Sequence, residues 1–436
     1  MVRAIVVMLV ALMLGAPAIA RMAPAAPPSA ATADPALAVR ANQLVAILGG
    51  TGDFDGYFAP SFHAALPKDK WDAVTAQVVA QLGKPLAIDA IQSASAFSAL
   101  LRVRFERGIG MIQIAIDPLP PHRVTGLLFT GSELAGDSFD KLSADFRALP
   151  GTSGFGVYAL GGVVPRLVAG LSPDTPAPLG SAFKLWVLGE LSREIGVGKR
   201  HWVDVVPVGT ASLPSGILQA WPAGTPLTVQ ALATLMISIS DNTATDTLVA
   251  LEGAALDRFV AARGAPGLAP VLTTRQMFAI KSPANADLAA RWKGATPAAR
   301  RALLGSEAGR LAATPVDAAL FTGKPVAIDD LEWFASPAQA AAMLDWLRTD
   351  GGETARAILA VNPGIDASTR AKFTYLGFKG GSEPGVITLN FLVKRPDGQW
   401  LAVVGNWHRA DAAVDTLPFV QLMSRALLLA AAAPLR

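Results

Sequence analysis

The chain of 436 residues contains no cysteine. Within it, disulfides, thiolate nucleophiles, cysteine-built zinc or iron–sulfur centres and lipid anchoring through a cysteine are therefore excluded. Charge is scarce as well, with 16% Asp, Glu, Lys and Arg against roughly 25% in an average soluble chain. Thirty-seven basic and 34 acidic residues leave a net charge of only +3. With no long basic run, no nucleic-acid partner is expected. The four histidines, His63, His122, His201 and His408, are scattered, without an i,i+4 pair or an acidic neighbourhood. They predict no metal site. A phosphate-cradling loop is missing too, since Thr322-Gly323-Lys324 lacks the upstream glycine of such loops. No cofactor is expected. What is abundant is apolar surface: 52% of residues are hydrophobic, enough to offset chain entropy and exclude intrinsic disorder. The length points to two domains.

Arg3, the apolar stretch Ala4 to Leu14 and the small residues Ala18-Ile19-Ala20 predict a cleavable secretory signal over residues 1–20. The expected location is the periplasm or the cell exterior. No later stretch is apolar and long enough to span a bilayer, so no stable membrane anchor is expected. Residues 21–36 are Ala/Pro-rich and read as an extended tether. Over 37–149 the pattern gives helices near 38–48 and 70–82, strands around Ile112–Ile116 and Val124–Thr130, and a third helix near 138–149. This predicts a small domain of helices on an antiparallel sheet. Over 150–436 two β runs (155–160 and 166–171) are followed by helical stretches from 181 to about 262. A weakly periodic region spans 281–330, and a helix lies at 337–347. A hairpin (386–393 and 400–405) and a helix over about 415–432 close the chain. The second domain is therefore read as a sheet built from both of its chain ends with a helical insert between them. The fold class is a two-domain α+β or α/β protein.

Three short patterns can carry chemistry. Ser181-Ala182-Phe183-Lys184 follows a loop and opens an apolar helix. A serine there lies at the positive end of the helix dipole, and the lysine three residues on shares its face. Burial and a second cation would let that amine act as a base toward the hydroxyl. Taken alone, the serine is equally read as a helix N-cap. The other Ser-x-x-Lys, Ser138 to Lys141, reads as an N-cap in a polar helix. Ser240-Asp241-Asn242 interrupts an apolar helical run, where three polar residues are costly unless they face a polar cleft; it too can be a plain N-cap. Lys379-Gly380-Gly381-Ser382 precedes the Val386 strand. Its glycines allow close approach to the backbone and its lysine adds a cation, although alone it is an ordinary turn.

In this order the three patterns form the signature set of serine β-lactamases and penicillin-binding proteins. The chain resembles class A β-lactamases over about residues 150–436, in PLGSAFKLWVLGEL (178–191), LTVQALATLMISISDNTATDTL (227–248) and the closing hairpin and helix. The resemblance implies a serine hydrolase acting on a small-molecule substrate, a β-lactam or a related peptide, amide or ester. It implies Ser181 as the acylated nucleophile, Lys184 as proton acceptor and Ser240 as the relay to the leaving nitrogen. Asn242 would orient Lys184 and the substrate, and Lys379 would attract a substrate carboxylate. The N–H groups of Ser181 and Ser382, beside Gly381, would form the oxyanion hole. Asp241 is implied to be structural. Two departures stand out. Gly380 replaces the hydroxyl residue usual after the motif lysine. No Asp or Glu occurs from Phe259 to Ala286, where class A enzymes carry the glutamate that activates the deacylating water. Gln276 and Met277 fall near its expected place, while Glu307, Asp329, Asp330 and Glu332 lie farther on. The first domain is similar to the ketosteroid-isomerase-like domain ahead of β-lactamase-like proteins of clavam biosynthesis clusters, in FDGYFAPSFHAALP (54–67) and PPHRVTGLLFTG (120–131). No catalytic set is legible in it.

Overall fold

The computed structural model describes residues 33–434. The predicted signal, residues 1–20, and residues 21–32 of the predicted tether lie outside the described residues. The tether reading fails at its end, because Asp34 accepts a hydrogen bond from Ala36 N–H and so caps a helix that starts at Pro35. Asx capping followed by proline at the first helical position outweighs the Ala/Pro composition there.

The chain is a two-domain α+β protein. In the smaller domain, helix α1 (Pro35–Leu48) buries Leu37, Ala41, Leu44, Ile47 and Leu48 at the spacing of one helix face. It packs on a four-stranded antiparallel meander, β1 (Pro85–Ser95), β2 (Ser98–Phe105), β3 (Gly108–Ile116) and β4 (Val124–Leu134). Before β1 lie two short helical turns and α2 (Lys68–Leu82), and an aromatic cluster of Phe54, Phe58, Phe62 and Trp71 fills the space between.

The next helix, α3 (Phe139–Ala148), belongs to the larger domain rather than the smaller one. Its Leu142 and Phe146 are buried with Phe155, Phe419 and Met423 of that domain. Arg425 reaches back to Asp137 (2.8 and 2.9 Å) and Asp145 (2.6 Å). The boundary expected after residue 149 therefore moves to just before α3, because a single amphipathic face decides which core a helix joins.

The larger domain is built on a five-stranded antiparallel sheet. Strands β5 (Thr152–Leu160) and β6 (Arg166–Leu171) come from its start, and β7 (Tyr375–Glu383), β8 (Val386–Lys394) and β9 (Trp400–His408) from its end. They run in the order β7-β8-β9-β5-β6. Closing helix α9 (Thr416–Ala432) covers one face with α3, and the helical insert covers the other. The insert carries α4 (Lys184–Gly196), α5 (Val229–Ser238), α6 (Asn242–Glu252), α7 (Thr274–Lys281) and α8 (Pro337–Thr349) among shorter helices. The helical run expected from 181 to 262 is broken over 197–228, which holds loops and two three-residue strands. Among the described residues no helix is long and apolar enough to cross a membrane. None of their His, Asp and Glu side chains form a group of three placed to hold a metal ion.

Candidate active site

A cleft of about 770 Å³ opens where the insert meets edge strand β7. Ser181 lies in a single 3₁₀ turn, Gly180–Phe183, that runs directly into α4. Gly180 adopts φ +50°, and a Cβ on it would stand 2.9 Å from Ser382 N. A Cβ on Gly381 would lie 2.1 Å from Leu179 O and 2.7 Å from Ser181 N. The two glycines thus let the backbone of β7 pass against the serine turn. The Thr388 hydroxyl also donates to Leu179 O (2.9 Å) and pins this approach.

Lys184, the first residue of α4, is completely buried. Its Nζ donates to Asn242 Oδ1 (2.7 Å), Ser240 O (2.8 Å) and Ser240 Oγ (3.1 Å). Asn242 is fixed in turn, donating to Leu213 O at 2.8 Å. Ser240 stands between α5 and α6 at φ +59°, a left-handed conformation that a non-glycine residue holds only when its surroundings enforce it. Asp241 supplies that enforcement. Its carboxylate accepts from Ala244 N, Ile217 N and Leu218 N at 2.7–2.9 Å, capping α6 and fixing the neighbouring loop. From the opposite wall, Lys379 Nζ donates to Ser240 Oγ (3.2 Å) and Gly380 O (2.5 Å). Ser240 Oγ is therefore the junction of two lysines. With its lone pairs turned toward them, its own proton is free for a ligand.

Burial first, and Lys379 second, push the Lys184 amine well below the ordinary lysine range; Asp246 and Asp241 pull weakly the other way. Burial alone brings Lys379 down to about 7. Desolvation disfavours the charged form of both amines, and Lys379 makes the Lys184 proton harder to keep.

Of the seven residues singled out from sequence, Ser181, Ser240, Asn242, Lys379, Gly381 and Ser382 line the cleft, and Lys184 is bonded to two of them. Lys379-Gly380-Gly381-Ser382 is not a turn before a strand: it lies inside β7, paired with Asn390 to Ile387 of β8. Gln276 and Met277 sit on α7. Gln276 closes a capping box with Thr273, and Met277 is in the core; neither lines the cleft. Among the four acids farther on, Glu307 pairs with Arg291 and Asp330 with Lys293 away from it. Glu332 alone returns. Its Oε2 accepts from Gly180 N (3.0 Å) and Trp333 N (3.2 Å), and Lys281 Nζ lies 3.6 Å from Oε1. Lys281 also donates to both carboxylate oxygens of Glu383 (2.6 and 2.8 Å). Burial first and then Glu383 raise the Glu332 carboxyl to about 8, with Lys281 opposing. Sequence reading missed Lys281 and Glu383 altogether. The one available signal was Glu383 directly following Ser382.

Residues 139–350, just under half of the chain, match the family described as the Beta-lactamase enzyme family. No curated protein matches the chain. Among solved structures it is similar to a β-lactamase from Sphaerobacter thermophilus DSM 20745, with 21% identity and a TM-score of 0.45, over 67% of this chain and 95% of that one. A β-lactamase from Chitinophaga pinensis DSM 2588 is 16% identical, with a TM-score of 0.45, over 66% and 96%. An acyl-enzyme complex of PBP-A with penicillin G is 16% identical, with a TM-score of 0.45, over 66% and 94%. Residues 139–350 are thus similar to that enzyme family, and the chain is a serine hydrolase that works through an acyl-enzyme.

Proposed function

We propose that the protein is an exported serine hydrolase acylated at Ser181 by β-lactams or by related amides and esters. The observation that carries this reading is the single hydrogen-bonded array Lys184–Ser240–Lys379 beside Ser181. In the acylation step Lys184, neutral and keeping two of its three hydrogen bonds, takes the proton of Ser181 Oγ on its lone pair as that oxygen bonds to the substrate carbonyl carbon. The carbonyl π electrons move onto oxygen, which the N–H groups of Ser181 and Ser382 receive. Collapse breaks the bond to the leaving nitrogen or oxygen. That atom takes a proton from Ser240, which is reprotonated by Lys184. Water then repeats the sequence on the ester and restores Ser181. Lys379 keeps Lys184 neutral and holds Ser240. Export rests on the charge and apolar pattern of residues 1–20. The first domain, read as ketosteroid-isomerase-like, serves packing or substrate gating.

A second reading has its own observation. Glu332 and Glu383, the two carboxyls that line the cleft, share Lys281, and Gln276 is held in a helix cap. With no uncommitted carboxylate base there, the protein would acylate and release slowly, as a penicillin-binding protein. A D,D-peptidase or esterase preference is the third form of the same chemistry. Intact-mass measurement after exposure to penicillin G tests these forms together. A transient adduct that Ser181→Ala abolishes supports hydrolysis, a lasting adduct supports binding, and an adduct unaffected by Ser181→Ala overturns the assignment.

A further inference from the structure

The charged residues lining the cleft are Lys379, Glu332 and Glu383, and among the described residues that line it there is no arginine. The two glutamates share the buried Lys281, so that lysine offers no free cation to a ligand. Lys379 is 3% exposed and already donates to Gly380 O and Ser240 Oγ. Position 380 beside it offers no hydroxyl. A Cβ there would meet Phe378 Cζ at 2.8 Å and Leu389 Cδ2 at 3.2 Å. Ile239, Phe278, Phe321 and Val414 continue an apolar lining.

A carboxylate entering this cleft would lose its hydration and face one committed lysine, itself held near the point of losing its proton. An uncharged group would gain burial against Phe378 and Leu389 without that loss. We propose that the cleft selects uncharged acyl substrates, esters or amides with apolar groups on either side of the reacting carbonyl, over those that carry a carboxylate. This selectivity rests on acyl transfer at Ser181.

The test uses the full chain and a matched pair of esters, phenyl hexanoate and 3-carboxyphenyl hexanoate. The neutral ester is expected to have a kcat/KM higher by about tenfold or more, the scale on which an unmatched polar group is rejected. Ala413→Arg places a guanidinium at an exposed position on the cleft rim and is expected to narrow that preference. A fluorophosphonate probe, read by intact mass, separates the two layers. If Ser181 takes the probe while the carboxylate ester is cleaved equally well or faster, the selectivity is wrong and acyl transfer stands. If Ser181 takes no probe and neither ester is cleaved, acyl transfer is wrong and the selectivity falls with it.

Discussion

Helices α4 and α6 lie side by side, with buried lysines at one end of the pair and buried glutamates at the other. At the N-terminal end, Lys184 and Asn242 are the first residues of the two helices, and Lys379 reaches the same serine. Toward the C-terminal end, roughly 15 Å along α4 at 1.5 Å per residue, Glu190 and Glu194 are wholly buried and Glu252, the last residue of α6, is 4% exposed. Glu190 holds Arg193 at 2.6 and 2.7 Å, and Glu194 holds Arg200 at 2.5 Å together with Lys199. Neither oxygen of Glu252 has a partner.

Each cluster sits at the end of the helix pair that repels its charge. The helix dipole places partial positive charge where Lys184 lies and partial negative charge where Glu252 lies. Burial acts in the same direction at both. It drives Lys184 toward the free amine, and it raises Glu252 well above the ordinary carboxylate range, aided by Glu190 and Glu194 against Arg200 and Arg193. The same physics yields a base at one end and a held proton at the other. Access makes the difference in use. The lysine end borders a cleft, whereas Glu252 and its neighbours do not line it.

Lys184→Met should break the comparison most sharply. It removes the free amine and keeps the apolar stem, so turnover of any acyl substrate should drop by at least about 10³-fold, as when a member of a concerted catalytic unit is lost. The wild-type rate should fall on its acid side as Lys184 gains a proton, and the variant should lack that limb. A pH–rate profile of both proteins reads this. An unchanged rate would remove Lys184 from the chemistry. Glu194→Ala is the counterpart at the other end. It leaves Arg200 near Glu252 without its carboxylate partner, and because Arg200 and Lys199 reach solvent the loss is expected on the order of 1 kcal/mol. Urea unfolding should show that loss with kcat unchanged. A variant as stable as wild type would mean that the acidic end contributes nothing to folding.

The two ends were not equally legible in the sequence. Ser181, Lys184, Ser240, Asn242 and Lys379 sit in short patterns whose order is informative, and the hairpin of β8 and β9 shows as two β runs around Pro396-Asp397-Gly398. Strand β7 did not read as a strand, because Gly377, Gly380 and Gly381 mimic a turn. It tolerates them as an edge strand that the serine turn presses against. Strands β1 and β2 were missed for another reason. Three register shifts interrupt the pairing of β1 with β2, and the residues of β1 are largely exposed. Glu332 was visible as an acid, but its return is set by Phe334–Ala335 pairing with Ala177–Pro178, a two-residue bridge that no local pattern announces. The Glu190–Glu194–Glu252 cluster looks in sequence like ordinary helix charge. Only the packing of α4 on α6 makes it buried.

Glu252→Gln gives the smallest effect and separates a held proton from a silent charge. In the folded chain Glu252 keeps its proton well above the pH at which the unfolded chain releases it. Folding above about pH 4.5 therefore takes up a proton, and wild-type stability declines as pH rises toward the folded value. Glutamine imitates the protonated acid and carries no such slope. The variant should match wild type near pH 4.5 and exceed it at pH 8 by on the order of 1 kcal/mol, with turnover unchanged. Thermal unfolding at the two pH values reads the difference. Parallel stability curves would mean that Arg193 and Arg200 hold Glu252 ionised. The two helix ends would then differ in kind: a cleft that sheds buried charge and a core that pairs it.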